Sequence, residues 1–139
     1  MLPSWTEPLF YFGHIVGRVL LGYIFITSGW NHLTKIGPTA GYAASKGVPA
    51  PKFFVVLTGV MIFVGAVLII LGWHRFIGAG LLVLFLLPVA FIMHAFWKET
   101  DPMARMNEKI HFQKDLGLAG AAMLIAYYAG QSWPFSLGG

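Results

Sequence analysis

The feature that most constrains this chain is a series of four long apolar segments. Each is close to the roughly 20 residues that a helix needs to cross a bilayer. The predicted spans run from about 11–30, 53–73, 76–97 and 111–128. Little more than "WHR" separates the second from the third, so these two must form an antiparallel hairpin. We therefore predict an all-α membrane protein: a four-transmembrane-helix antiparallel bundle, with residues 1–139 forming a single domain.

Composition supports the membrane assignment and excludes several other classes. The chain is 58% hydrophobic and only 10% charged, whereas soluble domains carry about 25% charged residues. It has no cysteine, which excludes a disulfide and a thiolate metal site within the chain. The net charge of +4 comes from bases in the loops, with no basic patch interleaved with aromatics. We expect the lipid bilayer and other membrane subunits as partners, and no nucleic acid.

The loop bases also predict an orientation. Six of them follow the first and third spans: Lys35, Lys46, Lys52, Lys98, Arg105 and Lys109. The termini and the turn after the second span hold only Arg75, in a His74–Arg75 turn that we expect to be exposed. The positive-inside rule then places the two longer loops in the cytoplasm and both termini on the non-cytoplasmic side. The predicted location is a bacterial-type inner, or cytoplasmic, membrane.

Up-and-down threading brings polar residues of three spans to one depth. The first and third spans end on the long-loop side, and the fourth begins there. The residues that meet are His32, His94, Trp97, His111, Lys114 and Asp115. Glu108, His111 and Asp115 also follow the i, i+3, i+7 spacing of one helix face. Imidazole and ammonium donors beside aromatic rings suit a quinone carbonyl or a lipid headgroup, and this group is our predicted binding site.

The histidines could instead bind a metal or simply join the helices. Neutral imidazoles with a carboxylate can ligate Zn, Fe or Cu. However, no His-x-x-x-His pair lies within one predicted helix, so we predict no metal site. A polar lock that only holds the helices together remains an equal alternative to an amphiphile site. Residue spacing alone does not decide between a lock and a ligand site.

A second polar group lies inside the first span, near its other end. His14 and Arg18 are i, i+4 neighbours and form an intramembrane polar pair. An ionisable residue within a span is by default a hypothesis for a functional site. The predicted second and third spans contain no carboxylate that could pair with Arg18. It either contacts a ligand or is satisfied by backbone carbonyls. In the same span, Gly13 and Gly17 have the spacing typical of close helix packing.

Several pieces of the sequence together resemble the DoxX family of small four-helix membrane proteins. They are "RVLLGYIFITSGWNHL", "KGVPAPKF", "GAVLIILGWHR", "HAFWKE" and "HFQKDLGLAGA", in the order of the family and across most of residues 17–125. The resemblance implies a four-helix subunit, in a family named for a component of a thiosulfate:quinone oxidoreductase. Other relatives accompany detoxifying enzymes. It also implies that His94, Trp97, His111 and Lys114 line a polar site.

The sequence departs from the family pattern in two places. Relatives often carry a glutamate in the second span, where this chain reads "MIFVGAV". Relatives also usually have Lys-Asn at the head of the fourth span, where this chain has Lys114 and Asp115. A missing buried acid removes the most plausible proton acceptor inside the bundle, which disfavours an autonomous redox enzyme.

The leading functional prediction is therefore an accessory, stabilising subunit of a larger membrane redox or energy-transducing complex. We expect no cofactor held within the chain, and quinone or lipid as the molecule it could contact. The alternative is a quinone-linked oxidoreductase subunit that uses the histidine and lysine cluster. A transporter of a small solute is a lower alternative. The sequence leaves open whether the chain is itself an enzyme.

Overall fold

Five α-helices make up most of the described part of the chain. The computed structural model describes residues 6–138, and this range contains helices and turns but no strand. The helices are α1 (Glu7–Thr34), α2 (Ile36–Ser45), α3 (Pro51–Leu71), α4 (Arg75–Ile92) and α5 (Pro102–Tyr127), with 3-10 turns at Phe96–Lys98 and Tyr128–Gly130. Helix α1 packs on α3, α3 on α4 and α4 on α5, while the short α2 packs mainly on α3.

Three of the helical segments are long and apolar enough to cross a membrane: Glu7–Thr34, Pro51–Leu71 and Arg75–Lys98. They match the first three predicted spans. Helix α5 has 26 residues, but the part from its start to Asp115 carries five charged residues. Its uncharged part, Leu116–Tyr127, is only about 18 Å long at 1.5 Å per residue. The chain is thus an all-helical membrane protein with three candidate spans, and the fourth span stays a prediction.

The ends of the helices follow from local sequence. Pro51 and Pro102 occupy first-turn positions, where a missing N–H costs nothing. Asp101 caps α5 by accepting a hydrogen bond from the Ala104 amide at 2.7 Å. Helix α3 ends at Gly72, whose φ of 65° is the left-handed conformation that a C-terminal glycine adopts easily. The Asp101 cap starts α5 soon after the 3-10 turn that follows α4. The cavity described below lies at this end of the two helices.

Close helix packing depends on glycines other than the predicted pair. A Cβ added to Gly65 would lie 3.0 Å from the Gly78 carbonyl oxygen, and one added to Gly78 would lie 3.0 Å from that of Gly65. Helices α3 and α4 therefore approach backbone to backbone. In contrast, a Cβ at Gly13 or Gly17 would meet nothing within 4 Å. The prediction that Gly13 and Gly17 mediate helix packing was wrong within this chain, because that face of α1 is turned outward.

The C-terminal tail, residues 131–138, folds back over the start of α4. Its Leu137 amide donates to the Leu71 carbonyl at 3.0 Å, and the Gln131 carbonyl accepts from Arg75 Nη1 at 2.9 Å. His74 is exposed, as expected for a turn residue. Arg75 is only 6% exposed. The expectation that Arg75 is exposed was wrong, because the tail covers its guanidinium.

Candidate functional site

A cavity of about 570 Å³ lies among all five helices, at the end of the molecule where α4 ends and α5 begins. Its volume is within the range of small-molecule sites. Most of its wall is apolar, and the residues of that wall include Phe25, Val55, Phe85, Leu86, Val89 and Leu118. Four predicted site residues also line it: His32, His94, Lys114 and Asp115. Residues of α1, α5 and the end of α4 therefore meet at one place, as predicted from the up-and-down threading.

His94 connects the cavity to α5. It follows the last turn of α4, and its Nδ1 lies 2.7 Å from Glu108 Oε2. Its Nε2 lies 3.6 Å from Asp115 Oδ2. Glu108 and Asp115 are seven residues apart, so two turns of α5 present both carboxylates to the same side. Asp115 is 5% exposed, which makes it a carboxyl group enclosed at the polar end of the cavity.

Helix α2 is held against Glu108, the carboxylate that contacts His94 Nδ1. Lys46, just after α2, places Nζ 2.7 Å from Glu108 Oε1 and 2.8 Å from Glu99 Oε1. The Tyr42 hydroxyl donates to Glu108 Oε1 at 3.1 Å. We call Tyr42, Lys46, Glu99 and Glu108 the α2 latch. It holds α2, which forms part of the cavity wall, against α5 and the turn after α4.

The α2 latch changes the ionisation of its members, which all lie outside the predicted spans. Burial alone would raise the pKa of Glu108, but hydrogen bonds from Lys46 and His94 outweigh it and lower the pKa to about 2. Hydrogen bonds to Glu108 and then to Glu99 raise the pKa of Lys46. Burial, followed by the nearby Glu108 charge, raises the pKa of Tyr42. Glu108 is therefore a carboxylate acceptor, and His94 Nδ1 must be the donor in their contact.

His32 faces the cavity from α1 in a defined tautomer. Its Nδ1 lies 3.1 Å from Thr58 Oγ1. The Thr58 hydroxyl already donates to the Phe54 carbonyl, at 2.7 Å. Because a hydroxyl has only one proton to donate, His32 Nδ1–H must donate to Thr58, and a neutral His32 then carries its lone pair on Nε2. His32 thus supplies a hydrogen-bond acceptor, with its ring held edge-on to Phe85.

The remaining predicted site residues lie at the rim or beyond it. Lys114 is half exposed, and its Nζ lies 3.3 Å from His111 Nδ1 and 4.0 Å from Asp115 Oδ1. His111 is exposed and stacks on His94, with ring centroids 5.0 Å apart. Trp97 packs edge-on against Phe112 at 5.6 Å and belongs to an outer aromatic cluster. The structure therefore places His111 next to the cavity lining and Trp97 outside it.

The polar pair in α1 lies at the opposite end of the molecule. His14 packs edge-on against Trp133, with ring centroids 4.6 Å apart. Arg18 Nη2 donates to the Pro134 carbonyl at 3.0 Å. These contacts are with the C-terminal tail and not with the cavity. Backbone carbonyls thus satisfy part of Arg18, as one of the two sequence-based alternatives expected. In residues 6–138, no three His, Asp or Glu side chains lie in a geometry that could hold a metal ion.

The α2 latch was not predicted as part of the site. The predicted group included Asp115 but omitted Tyr42, Lys46, Glu99 and Glu108. The available signal was the i, i+7 relation of Glu108 to Asp115, which placed Glu108 on the cavity side of α5. No comparable signal existed for Lys46, which is 62 residues from Glu108 along the chain.

Comparisons with known proteins identify the family of this chain. The DoxX family model matches residues 13–95, more than half of the chain. Inner membrane protein YphA of Escherichia coli (strain K12) is 32% identical over 112 residues, which cover 81% of this chain and 79% of YphA. Inner membrane protein YqjF of the same organism is 30% identical over 114 residues, covering 82% of each chain. No solved structure gives a significant match. The chain belongs to the DoxX family.

Proposed function

We propose that this protein is a membrane subunit that binds a quinone-class amphiphile in the cavity between its helices. The observation that carries the proposal is an apolar cavity of about 570 Å³ with its polar side chains at one end. A quinone likewise has a polar end and an apolar end: a ring that bears two carbonyl acceptors, and an apolar tail. The tail would lie along walls such as Phe25 and Leu86, and the ring would lie near His32 and Lys114.

The polar residues fit both redox states of such a ring. The Lys114 ammonium is a donor for a quinone carbonyl, and its stem can lie along the apolar wall. The His32 Nε2 lone pair is an acceptor for a quinol hydroxyl. Asp115 next to His94 provides a carboxyl and an imidazole that can hold a proton near the ring. The quinone, when bound, would supply the two-electron chemistry, and these side chains would orient it.

The most economical role for such a site is in an accessory subunit of a larger membrane redox complex. The chain has no cysteine, and α3 has no acidic residue. A partner subunit would then supply or accept the electrons. Native mass spectrometry of protein extracted from its own membrane would test this role. Partner chains that remain bound are expected, and a lone chain at native abundance would contradict it.

The contact of His94 with two carboxyl groups favours a second candidate, a quinone-linked oxidoreductase subunit. Asp115 lines the cavity, and His94 lies between it and Glu108. The Asp115 carboxyl and the His94 imidazole could pass a proton to and from the ring, while the charged Glu108 holds the imidazole in place. In that case His94→Ala should abolish electron transfer to quinone while the complex still assembles. Unchanged turnover would exclude this candidate.

The membrane arrangement belongs to the same proposal. Helix α5 packs along α4, and we propose that it is the fourth span, with its charged first turns at the cytoplasmic interface. Both termini would then lie on the non-cytoplasmic side. YphA and YqjF are inner membrane proteins by name, which supports the same location here. Cysteines introduced at each end of α4, labelled from outside intact cells, would test the orientation.

Ligand binding can be tested with a pair of lysines on one helix. The full chain would be reconstituted in lipid nanodiscs and titrated with a ubiquinone analogue that has a short isoprenoid tail. Lys114 lines the cavity, whereas Lys109 is exposed on α5 and does not. Lys114→Met should weaken binding about tenfold, the value of one lost hydrogen bond to a charged group. Lys109→Met should leave it unchanged. Equal affinities in the two variants, or no binding by the wild type, would contradict the proposal.

A further inference from the structure

Two buried arginines meet at the end of the molecule opposite the cavity. Arg18 comes from the middle of α1, and Arg75 is the first residue of α4. Each is 6% exposed. Both guanidinium groups lie over the ring of Trp133, with Cζ 5.7 Å from its centroid for Arg18 and 4.9 Å for Arg75. The chain therefore holds two cationic groups side by side beneath its C-terminal tail.

These cations are under-satisfied. Arg18 donates through Nη2 to the carbonyls of Pro134 and Phe135, and Arg75 donates through Nη1 to that of Gln131. Arg18 Nε and Nη1 and Arg75 Nε are buried and have no hydrogen-bond partner within residues 6–138. A buried donor without a partner is costly, and more so when it is charged. No carboxylate in the described part of the chain forms an ion pair with either arginine.

We propose that Arg18 and Arg75 form a binding site for an oxyanion, specifically a phosphate group, and that the C-terminal tail covers this site. The tail carbonyls are neutral acceptors that occupy only some of the guanidinium donors. A phosphate carries charge and several oxygens, and the planar fork of arginine binds it through paired hydrogen bonds. Phosphate binding would neutralise two adjacent positive charges, which carbonyl groups cannot do.

The tail must move for the anion to enter. Gly72 lies close to Arg18 and to the tail: a Cβ added to it would lie 2.7 Å from Arg18 Nη1 and 2.6 Å from Ser136 Cβ. The side of Nη1 that faces Gly72 therefore has no room for an oxyanion. Besides its contacts with Arg18, Arg75 and His14, the tail is held to the end of α3 by a backbone hydrogen bond from Leu137 N–H to the Leu71 carbonyl at 3.0 Å. An oxyanion that takes the place of the Pro134 and Gln131 carbonyls would release this segment.

The position of the site fits two sources of phosphate. Arg75 starts a candidate membrane span, and Arg18 extends towards it from within α1. This is the depth at which lipid phosphates lie, and Trp133 is of the residue type enriched there. A lipid headgroup and a free phosphate ion offer the same chemistry to the arginines, and the experiment separates them. The site shares no residue with the cavity, so it stands independently of the proposed quinone function.

The experiment uses the full chain purified in a mild uncharged detergent. Thermal unfolding is measured after addition of phosphatidylglycerol, of zwitterionic phosphatidylcholine, or of inorganic phosphate. Hydrogen exchange of the tail amides is followed in the same samples. Arg75→Gln removes one side of the site, and the control Arg105→Gln removes an equal charge from an exposed position on α5. The wild-type exchange measurement remains informative even if Arg75→Gln does not fold.

We expect anion binding to raise the unfolding temperature of the wild type and to speed exchange at the Leu137 amide. Arg75→Gln should bind at least about tenfold more weakly, as for one lost charged hydrogen bond, and Arg105→Gln should behave as the wild type. Stabilisation by phosphatidylglycerol alone identifies a lipid headgroup, and stabilisation by inorganic phosphate identifies a free ion. The proposal is overturned if neither anion stabilises the chain, if Arg75→Gln binds as well as Arg105→Gln, or if tail exchange does not change on binding.

Discussion

His94 Nδ1 and Glu108 Oε2 lie 2.7 Å apart and join the segment after α4 to the first turns of α5. Because Glu108 also accepts from Lys46 and Tyr42, this one carboxylate holds three parts of the chain together. The cavity wall contributed by α2 therefore depends on a group that is itself outside the cavity. The first two predictions concern this carboxylate.

Removing the charge of Glu108 should destabilise the cavity wall without adding side-chain volume to the cavity. Glu108→Gln loses the ion pair with Lys46 and weakens the contact with His94. We expect a loss of about 1–3 kcal/mol in the free energy of unfolding, typical of a hydrogen bond to a charged group left incomplete. Urea unfolding in detergent micelles measures it. Glu7→Gln, at an exposed position on α1, is the control, and equal stability of the two variants would contradict the prediction.

The same carboxylate should make stability sensitive to acid. The pKa of Glu108 is about 2 in the folded protein, against an ordinary value of 4.5. A lowered folded-state pKa means that the stabilisation is complete above about pH 4.5 and is lost as pH falls towards about 2. The stability difference between wild type and Glu108→Gln should therefore shrink over that interval. Unfolding curves measured at several pH values would show it, and a difference that does not vary with pH would count against this assignment.

Two glycines of α1 should respond oppositely to the same substitution. A Cβ at Gly29 would lie 2.9 Å from Phe63 Cβ and 3.0 Å from the Gly59 carbonyl oxygen, whereas one at Gly13 would meet nothing within 4 Å. Gly29→Ala should therefore destabilise the chain by about 1–3 kcal/mol through overpacking. Gly13→Ala should be neutral or stabilise α1 by up to about 1 kcal/mol. Thermal unfolding of both variants tests the packing of α1 on α3, which equal effects would contradict.

Filling the cavity should remove ligand binding without harming the fold. Ser28 lines the cavity, and the neighbouring Thr27 does not; its hydroxyl bonds to the backbone of its own helix. Ser28→Leu should place apolar volume where the quinone tail would lie and abolish binding of the short-chain analogue. Thr27→Leu should bind normally. Titration of both variants in nanodiscs, with unfolding temperatures recorded alongside, separates ligand exclusion from misfolding. Normal binding by Ser28→Leu would show that the ligand lies elsewhere.

The sequence was most informative where the physics is local or periodic. The all-helical class and the three candidate spans follow from runs of apolar residues, and up-and-down threading was enough to bring His32, His94 and Lys114 together. Helix α2 was not predicted, because "IGPTAGYAAS" is short and contains two glycines and a proline. It is held by burial of Ala40 and Ala43 beside Val55, which is a tertiary effect.

Long-range pairing determines the environments of Lys46 and Arg75. Lys46 was counted only as a loop base, although it forms ion pairs with Glu99 and Glu108. Nothing in its neighbourhood in sequence shows that α2 folds back towards α5. The burial of Arg75 was missed in the same way. The tail that covers it begins 56 residues later in the chain. Burial of a turn residue by a distant segment leaves no periodic trace in the sequence.

The cover over Arg18 also has a consequence for biosynthesis. The carbonyl of Pro134, which accepts a hydrogen bond from Arg18, is 116 residues further along the chain. Because synthesis proceeds from the N-terminus, α1 reaches the membrane long before its arginine can meet this partner. Until residues 134 and 135 have been made, the guanidinium must be hydrated or held by another molecule. Folding at this end of the protein therefore waits until these residues leave the ribosome, and ribosome-bound intermediates that lack them should retain a water-accessible Arg18.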